Sequence, residues 1–138
     1  MQFTTSILAL FTLLCSIVIA QDATAVTNNA PGVEYGATLP DLTTTDIRGS
    51  VVAQSNPGGP GILVQASFSG FPDQGGPFLY HIHTNPISNG NCSTAGSHLD
   101  PFGRGETPAC AADDPSSCQV GDLSGKHGKI NGTTFSAK

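Results

Sequence analysis

The sequence predicts an all-β domain, an antiparallel sandwich or barrel, and three observations carry that expectation. Its 138 residues include 17 Gly and 10 Pro but only 11% charged residues, a composition that disfavours helices and suits short strands joined by long turns. From Gly61 to Phe71 (GILVQASFSGF) the chain alternates. Ile62, Val64, Ala66 and Phe68 share one face, and Leu63, Gln65, Ser67 and Ser69 the other, the period of a half-buried strand. Further strand-like segments recur between clusters of turn residues, giving four to five short strands in one domain-sized chain.

The elements follow in order. Ile7 to Ala20 (ILALFTLLCSIVIA) is fourteen residues without a charge, short for a bilayer span. Val18 and Ala20 occupy the −3 and −1 positions of a small-residue cleavage site before Gln21. Residues 1–20 are therefore expected to be a secretory signal peptide, with an uncleaved anchor as the weaker alternative. Removing them leaves 118 of the 138 residues and no second apolar stretch. The mature chain is expected to be extracytoplasmic with no membrane span. Residues 21–32 (QDATAVTNNAPG) read as a loose polar leader, and 33–138 as the domain. Val33 to Thr38 and Asp46 to Gln54 are expected strands, the second interrupted by Gly49. SNPGGPG at 55–61 is a strong hairpin signal. PDQGG at 72–76 turns the chain into Pro77 to His83 (PFLYHIH), read as another strand. Thr84 to Lys126 has little periodicity and many turn residues, and an irregular stretch of that length is normally functional. Lys129 to Lys138 is expected to begin one more strand.

Charge and sulfur narrow the functional class. Ten acidic against five basic residues give a formal charge of −5, so no basic patch exists to hold nucleic acid. Cys15 departs with the signal peptide, leaving Cys92, Cys110 and Cys118, of which two are expected to pair in an oxidising compartment. Cys110 and Cys118 bracket AADDPSS, whose Pro and Asp favour a turn that brings the thiols together. Two sequons, at Asn91 and Asn131, fit secretion, with Asn131 the better glycosylation candidate because Cys in the middle position is poorly used.

All four histidines fall between positions 81 and 127. His81 and His83 are spaced so that, on a strand, both imidazoles project from one face about 7 Å apart at the backbone, close enough to converge on one metal ion. His98 lies in the loop that this strand feeds. Taken alone, a His-x-His pair or a loop histidine is more often structural; three within 18 residues make a candidate site for copper or zinc. Asp122, between Gly121 and Leu123, either orients a ligand histidine or simply forms a turn. His127, flanked by Lys126 and Gly128, reads as a surface or structural residue.

The motifs Tyr80-His81-Ile82-His83, Gly90-Asn91-Cys92, Ala95 to Pro101 (AGSHLDP) and Cys118 to Gly128 (CQVGDLSGKHG), in that order, resemble the Cu/Zn superoxide dismutase family. DLSGKHG and the cysteine pair at 110 and 118 resemble its secreted, copper-only fungal branch. The resemblance implies a Greek-key β-sandwich or barrel and a copper-dependent conversion of superoxide to O2 and H2O2. It further implies copper ligation by His81, His83 and His98, and a supporting role for Asp122. It implies no zinc, because Gln119 stands where zinc-containing relatives have a ligand histidine and no histidine lies between His98 and His127. Cys92 matches a loop cysteine whose family partner is C-terminal. The family's fourth copper histidine, that cysteine partner and a catalytic-site arginine have no match here, and Arg104 is merely in the loop. The domain is accordingly expected to be partial at its C-terminus. A copper-binding or inactive module lacking the fourth ligand is the alternative.

Overall fold

The computed structural model describes residues 22–138, so the expected signal peptide lies outside the described residues. Four strands, β1 (Glu34–Thr38), β2 (Arg48–Ser55), β3 (Ile62–Ser69) and β4 (Thr134–Ala137), form one antiparallel sheet in the order β1-β2-β3-β4. They correspond to four of the five expected strands. The β2–β3 register sets Val51 opposite Ala66 and Ala53 opposite Val64, and β4 sets Phe135 opposite Phe68. The apolar side of the β3 alternation therefore shares a face with Val51, Ala53 and Phe135. Ala66 is buried there, while Gln65, Ser67 and Ser69 stay exposed.

The second layer is irregular, and it carries the site. A chain of aromatic rings fastens it to the sheet: Phe78 stacks on Phe71 at 5.0 Å, Phe71 meets Phe68 edge-on, Phe68 stacks on Phe135, and Tyr80 lies 5.0 Å from Phe135. Residues 77–83, expected as a strand, are extended but join no ladder. Each alternate residue bonds a different partner: Phe78 exchanges two backbone bonds with Ile130, Tyr80 bonds Ser124, Ile82 bonds Gly121 and Leu99, and Thr84 bonds Ser97. Partners drawn from three segments satisfy these alternate residues without making a sheet edge.

The long stretch after Thr84 contains 3-10 turns at Cys92–Ala95 and Pro115–Ser117 and one short helix, α1 (Leu123–His127). Asp122 caps α1, its carboxylate accepting from the Gly125 N–H at 2.7 Å. Cys110 and Cys118 are disulfide-bonded, as the turn between them suggests, and Cys92 is a free, exposed cysteine among the described residues. A groove of about 340 Å³, lined by Val64, Ala66, Ile82, Leu99, Leu123 and Ala137 among others, runs between the sheet and α1. Toward β1 the same face of the sheet is open, with Tyr35 74% and Ile62 54% exposed.

The leader is not loose. Val26 accepts from the Gly61 N–H, Asn29 donates to the Gly61 carbonyl at 2.7 Å, and Ala30 accepts from Ser55, so the segment lies against the β2–β3 turn. At its other end Ala23 donates to the Ser116 carbonyl at 3.1 Å. Its polar, small composition gave no hint of those partners, which lie 25 or more residues away. No helix among the described residues is long and apolar enough to cross a membrane.

Candidate metal centre

Three backbone segments meet beneath the histidines. The Leu99 N–H donates to Ile82 at 2.8 Å, the Gly121 N–H to Leu99 at 2.8 Å, and the Ile82 N–H to Gly121 at 2.9 Å. Ile82, Leu99 and Gly121 thus form a closed triangle of hydrogen bonds. Because side chains alternate along extended backbone, the residues flanking these three, His81 and His83, His98, and Asp122, are brought together above it. Glycine is required at the third corner. A Cβ on Gly121 would lie 2.8 Å from the Leu99 nitrogen and nearer still to the Ile82 carbonyl oxygen.

The three imidazoles gather accordingly. His81 stacks on His98 with ring centroids 3.9 Å apart, and His83 meets His98 edge-on at 5.3 Å. One ring nitrogen from each lies within 4.8 Å of the others, the sole cluster of this kind among the described residues. His83 and His98 also form an isolated β-bridge, so a short antiparallel contact, rather than a strand, holds the loop ligand against the His-x-His segment.

Two of the rings have one nitrogen hydrogen-bonded to the protein, and the third lies beside a carboxylate. The His83 Nδ1–H donates to the Gly96 carbonyl at 3.0 Å, which leaves Nε2 free. The His98 Nδ1 lies 2.7 Å from Gln119 Oε1. The Gln119 amide can be oriented from its other contact: its Nε2 is 3.5 Å from an Asp100 carboxylate oxygen, which only accepts, so Oε1 must face His98 and accept from it. Again Nε2 is left free. The His81 Nε2 lies 3.5 Å from Asp122 Oδ1. Such partners fix tautomer and ring orientation in metal sites. Asp122 therefore serves as helix cap and histidine partner at once, joining the two alternative readings of its sequence position.

Electrostatics favour a neutral His81. Burial lowers the His81 pKa from its ordinary 6.5; the neighbouring His98 and His83 act in the same direction, against Asp122 and Glu106. A neutral imidazole is the form that coordinates metal. Asp100 is pushed up by burial, but N–H donation from Gly105 and Arg104, the Gln119 amide and the Arg104 charge together hold it below its ordinary value. The donor set, three imidazoles with one nitrogen of each within 4.8 Å of the others, fits copper or zinc by ligand type.

The sequence had singled out His81, His83, His98 and Asp122, and the fold brings all four together. It does not bring in His127, which sits exposed in the last turn of α1, as expected of a surface residue. Asn131 is exposed in the turn before β4, and Asn91 caps the 3-10 turn holding Cys92. Sequence reasoning missed the positive roles of Gln119 and the Gly96 carbonyl. Gln119 entered only as a missing histidine, and the signal that could have marked it is its position three residues before Asp122, next to a cysteine. The Gly96 φ of +75°, which aims its carbonyl at His83, has a sequence signal only in the residue being glycine.

No protein-family model matches the chain. Among curated proteins it is 36% identical to the cell surface Cu-only superoxide dismutase of Arthroderma benhamiae, over 80% of this chain and 36% of that protein. It is 37% identical to cell surface superoxide dismutase (Cu-Zn) 6 of Candida albicans, over 91% of this chain and 39% of that one. Among solved structures, a mutant form of Candida albicans superoxide dismutase 5 matches with a TM-score of 0.59 and 31% identity, covering 81% of this chain and 67% of that chain. The chain belongs to the Cu/Zn superoxide dismutase family. The Cu(II) form of that same Candida enzyme matches with a TM-score of 0.59 and 30% identity, over 75% of this chain and 65% of that chain. This family member spans between 36% and 52% of the length of the curated relatives it matches, which are fungal cell-surface proteins.

Proposed function

We propose that the chain acts as a secreted, cell-surface, copper-dependent superoxide dismutase, with His81, His83 and His98 as copper ligands. The observation that carries this reading is the set of three imidazoles, each offering one ring nitrogen within 4.8 Å of the others, with His83 and His98 hydrogen-bonded to the protein through Nδ1 and His81 beside Asp122. Bound there, copper would supply one-electron chemistry, so that two superoxide ions and two protons become O2 and H2O2. The protein's part is to orient the ligands: Gln119 and Gly96 accept from the Nδ1 protons of His98 and His83, and Asp122 faces His81 Nε2. The reading extends to zinc, which is not expected: Gln119 occupies the position of a zinc histidine and its carbonyl already accepts from His98. The names of the relatives support the cell-surface location, and the N-terminal segment and the disulfide are in keeping with it. Asn131 is the proposed glycan acceptor.

A second reading, a copper-binding module without turnover, is favoured by one observation: three histidine ligands, not four, gather among the described residues. Metal analysis and a superoxide-decay assay on the secreted protein separate the two. One copper per chain, lost on replacing His81 and His83 by Ala, with dismutation proportional to bound copper, is the expected result. Copper without dismutation establishes the module. Undiminished copper in the His81→Ala/His83→Ala variant refutes the site, and tightly held zinc refutes the copper-only reading.

A further inference from the structure

Arg104 lies in a loop whose neighbours are mostly exposed, yet its own side chain is only 11% exposed. It holds three other segments. Its Nε donates to the Ser117 carbonyl at 3.0 Å, its Nη1 reaches Asp22 Oδ1 at 3.5 Å, and its backbone N–H donates to Asp100 Oδ1 at 3.0 Å. The next N–H, of Gly105, donates to the other Asp100 oxygen at 2.8 Å. Both ends of this arrangement reach Gln119. Ser117 leads through the buried, disulfide-bonded Cys118 directly into it, and Asp100 accepts from its side-chain amide. Gln119 in turn accepts from His98. The leader closes the assembly from outside, with Ala23 bonded to Ser116 and Asp22 facing Arg104.

We infer that Arg104 is a positioning residue for His98, acting through Gln119, and that the N-terminal Asp22–Ala23 segment belongs to the same device. The inference deepens the copper reading and rests on it, since its purpose is to hold one ligand in the Nδ1–H tautomer that frees Nε2. Without the guanidinium, the Ser117 carbonyl loses its donor and the backbone entering Gln119 is released on one side. Asp100 keeps both backbone donors, so the Gln119 amide is then held from the other side alone. The geometry also sets a limit on the effect. His83 takes its orientation from Gly96, and His81 from Asp122, neither of which touches Arg104. Loss of Arg104 must therefore disturb His98 selectively, whereas a general loosening would disturb all three rings.

The test compares the secreted protein with its Arg104→Met, Arg104→Lys and Asp22→Asn variants. Nitrogen-15 NMR of the metal-free proteins reads which imidazole nitrogen of each histidine carries the proton, and competition against a chelator reads Cu(II) affinity. In Arg104→Met, His98 is expected to populate both tautomers while His83 keeps its own, and the copper dissociation constant to rise by less than the roughly tenfold that loss of the directly bonded orienting partner costs. Arg104→Lys keeps the charge near Asp22 without the Nε donor to Ser117 and should fall between the two. Asp22→Asn, at a carboxylate 74% exposed, should shift His98 in the same direction and by less. It carries the comparison if Arg104→Met does not fold. An unaltered His98 tautomer in the folded variants, or equal changes at His83 and His98, overturns the inference. Absence of copper binding by the unaltered protein overturns the copper reading instead, and the metal-free tautomers still decide the role of Arg104.

Discussion

The bond between Gln119 and His98 is the point at which the proposed site is most exposed to a single substitution. Gln119→Met keeps the length and most of the volume of the side chain and removes both polar atoms. Two contacts are lost. The 3.5 Å contact from Gln119 Nε2 to Asp100 is long, and Asp100 keeps N–H donors at 3.0 and 2.8 Å, so its loss costs little. The 2.7 Å bond to His98 Nδ1 is a neutral hydrogen bond at a mostly buried ring, worth about 1 kcal/mol net and about 1–3 kcal/mol when the partner is left unsatisfied. His98 has one compensation, the Glu106 carboxylate at 3.9 Å, but that side chain is 79% exposed and would have to move closer to accept. The structure therefore places the loss near the lower half of that range, about 1.5 kcal/mol, or about a tenfold weaker hold on copper. The assay is chelator competition at fixed pH, with thermal melting to confirm the fold. A dissociation constant for Gln119→Met within twofold of the unaltered protein, with the fold intact, would refute the argument that this bond orients the ligand.

Three further outcomes follow from the same geometry. Gly121→Ala drives a methyl group into the Ile82 carbonyl and the Leu99 N–H, so it should destabilise the protein by about 3 kcal/mol and weaken metal binding together with the fold, read by denaturant melts. Replacing both Cys110 and Cys118 by Ser opens a loop of eight-residue separation and should cost about 2.5 kcal/mol through the unfolded chain, whereas Cys92→Ser should melt like the unaltered protein. The third concerns pH. The His81 pKa is lowered in the fold, so below its ordinary 6.5 the unfolded chain binds more protons than the folded one. Metal-free stability should be full above about pH 6.5 and decline as pH falls from there through the lowered folded value, and melts that stay flat across this window would contradict it.

How much of this was legible in the sequence depends on where each bond partner lies. The β3 alternation was readable because sheet burial follows a two-residue period, and the observed exposures of Gln65, Ser67 and Ser69 follow it. The three histidines were readable because the spacing of His81 and His83 and a nearby loop histidine are local facts. The error at residues 77–83 has the opposite cause. An extended, aromatic and apolar segment looks like a strand whether it pairs with one neighbour or with three, and only the fold reveals that Phe78, Tyr80 and Ile82 turn to different partners. The leader failed for a similar reason, its partners being Gly61 and Ser116. Helix α1 has five residues with Gly125 at its centre, too few for a helical period; it exists because Asp122 caps it and Lys126 reaches back to the Val120 carbonyl at 2.7 Å. Arg104 carried no pattern at all, and Gln119 only its position three residues before Asp122, since their roles are contacts across the loop.

The distribution of charge bears on which step of the proposed chemistry the chain is built to serve. Of its five cations, Arg48 is paired with Asp41, Arg104 with Asp22, and the half-buried Lys126 lies on a backbone carbonyl, its pKa lowered by burial against the pull of Asp122. The clefts on either side of the histidines are lined by Glu106 and Asp122 in one and by Asp100 in the other, and by no Lys or Arg among the described residues. In a chain of formal charge −5, that arrangement attracts a metal cation and opposes the approach of an anion. Imidazoles flanked by carboxylates favour the holding of copper, and the residues lining these two clefts offer superoxide no steering of their own. The residues present thus serve metal retention more directly than substrate delivery, which is why bound copper and turnover are separate measurements for this chain.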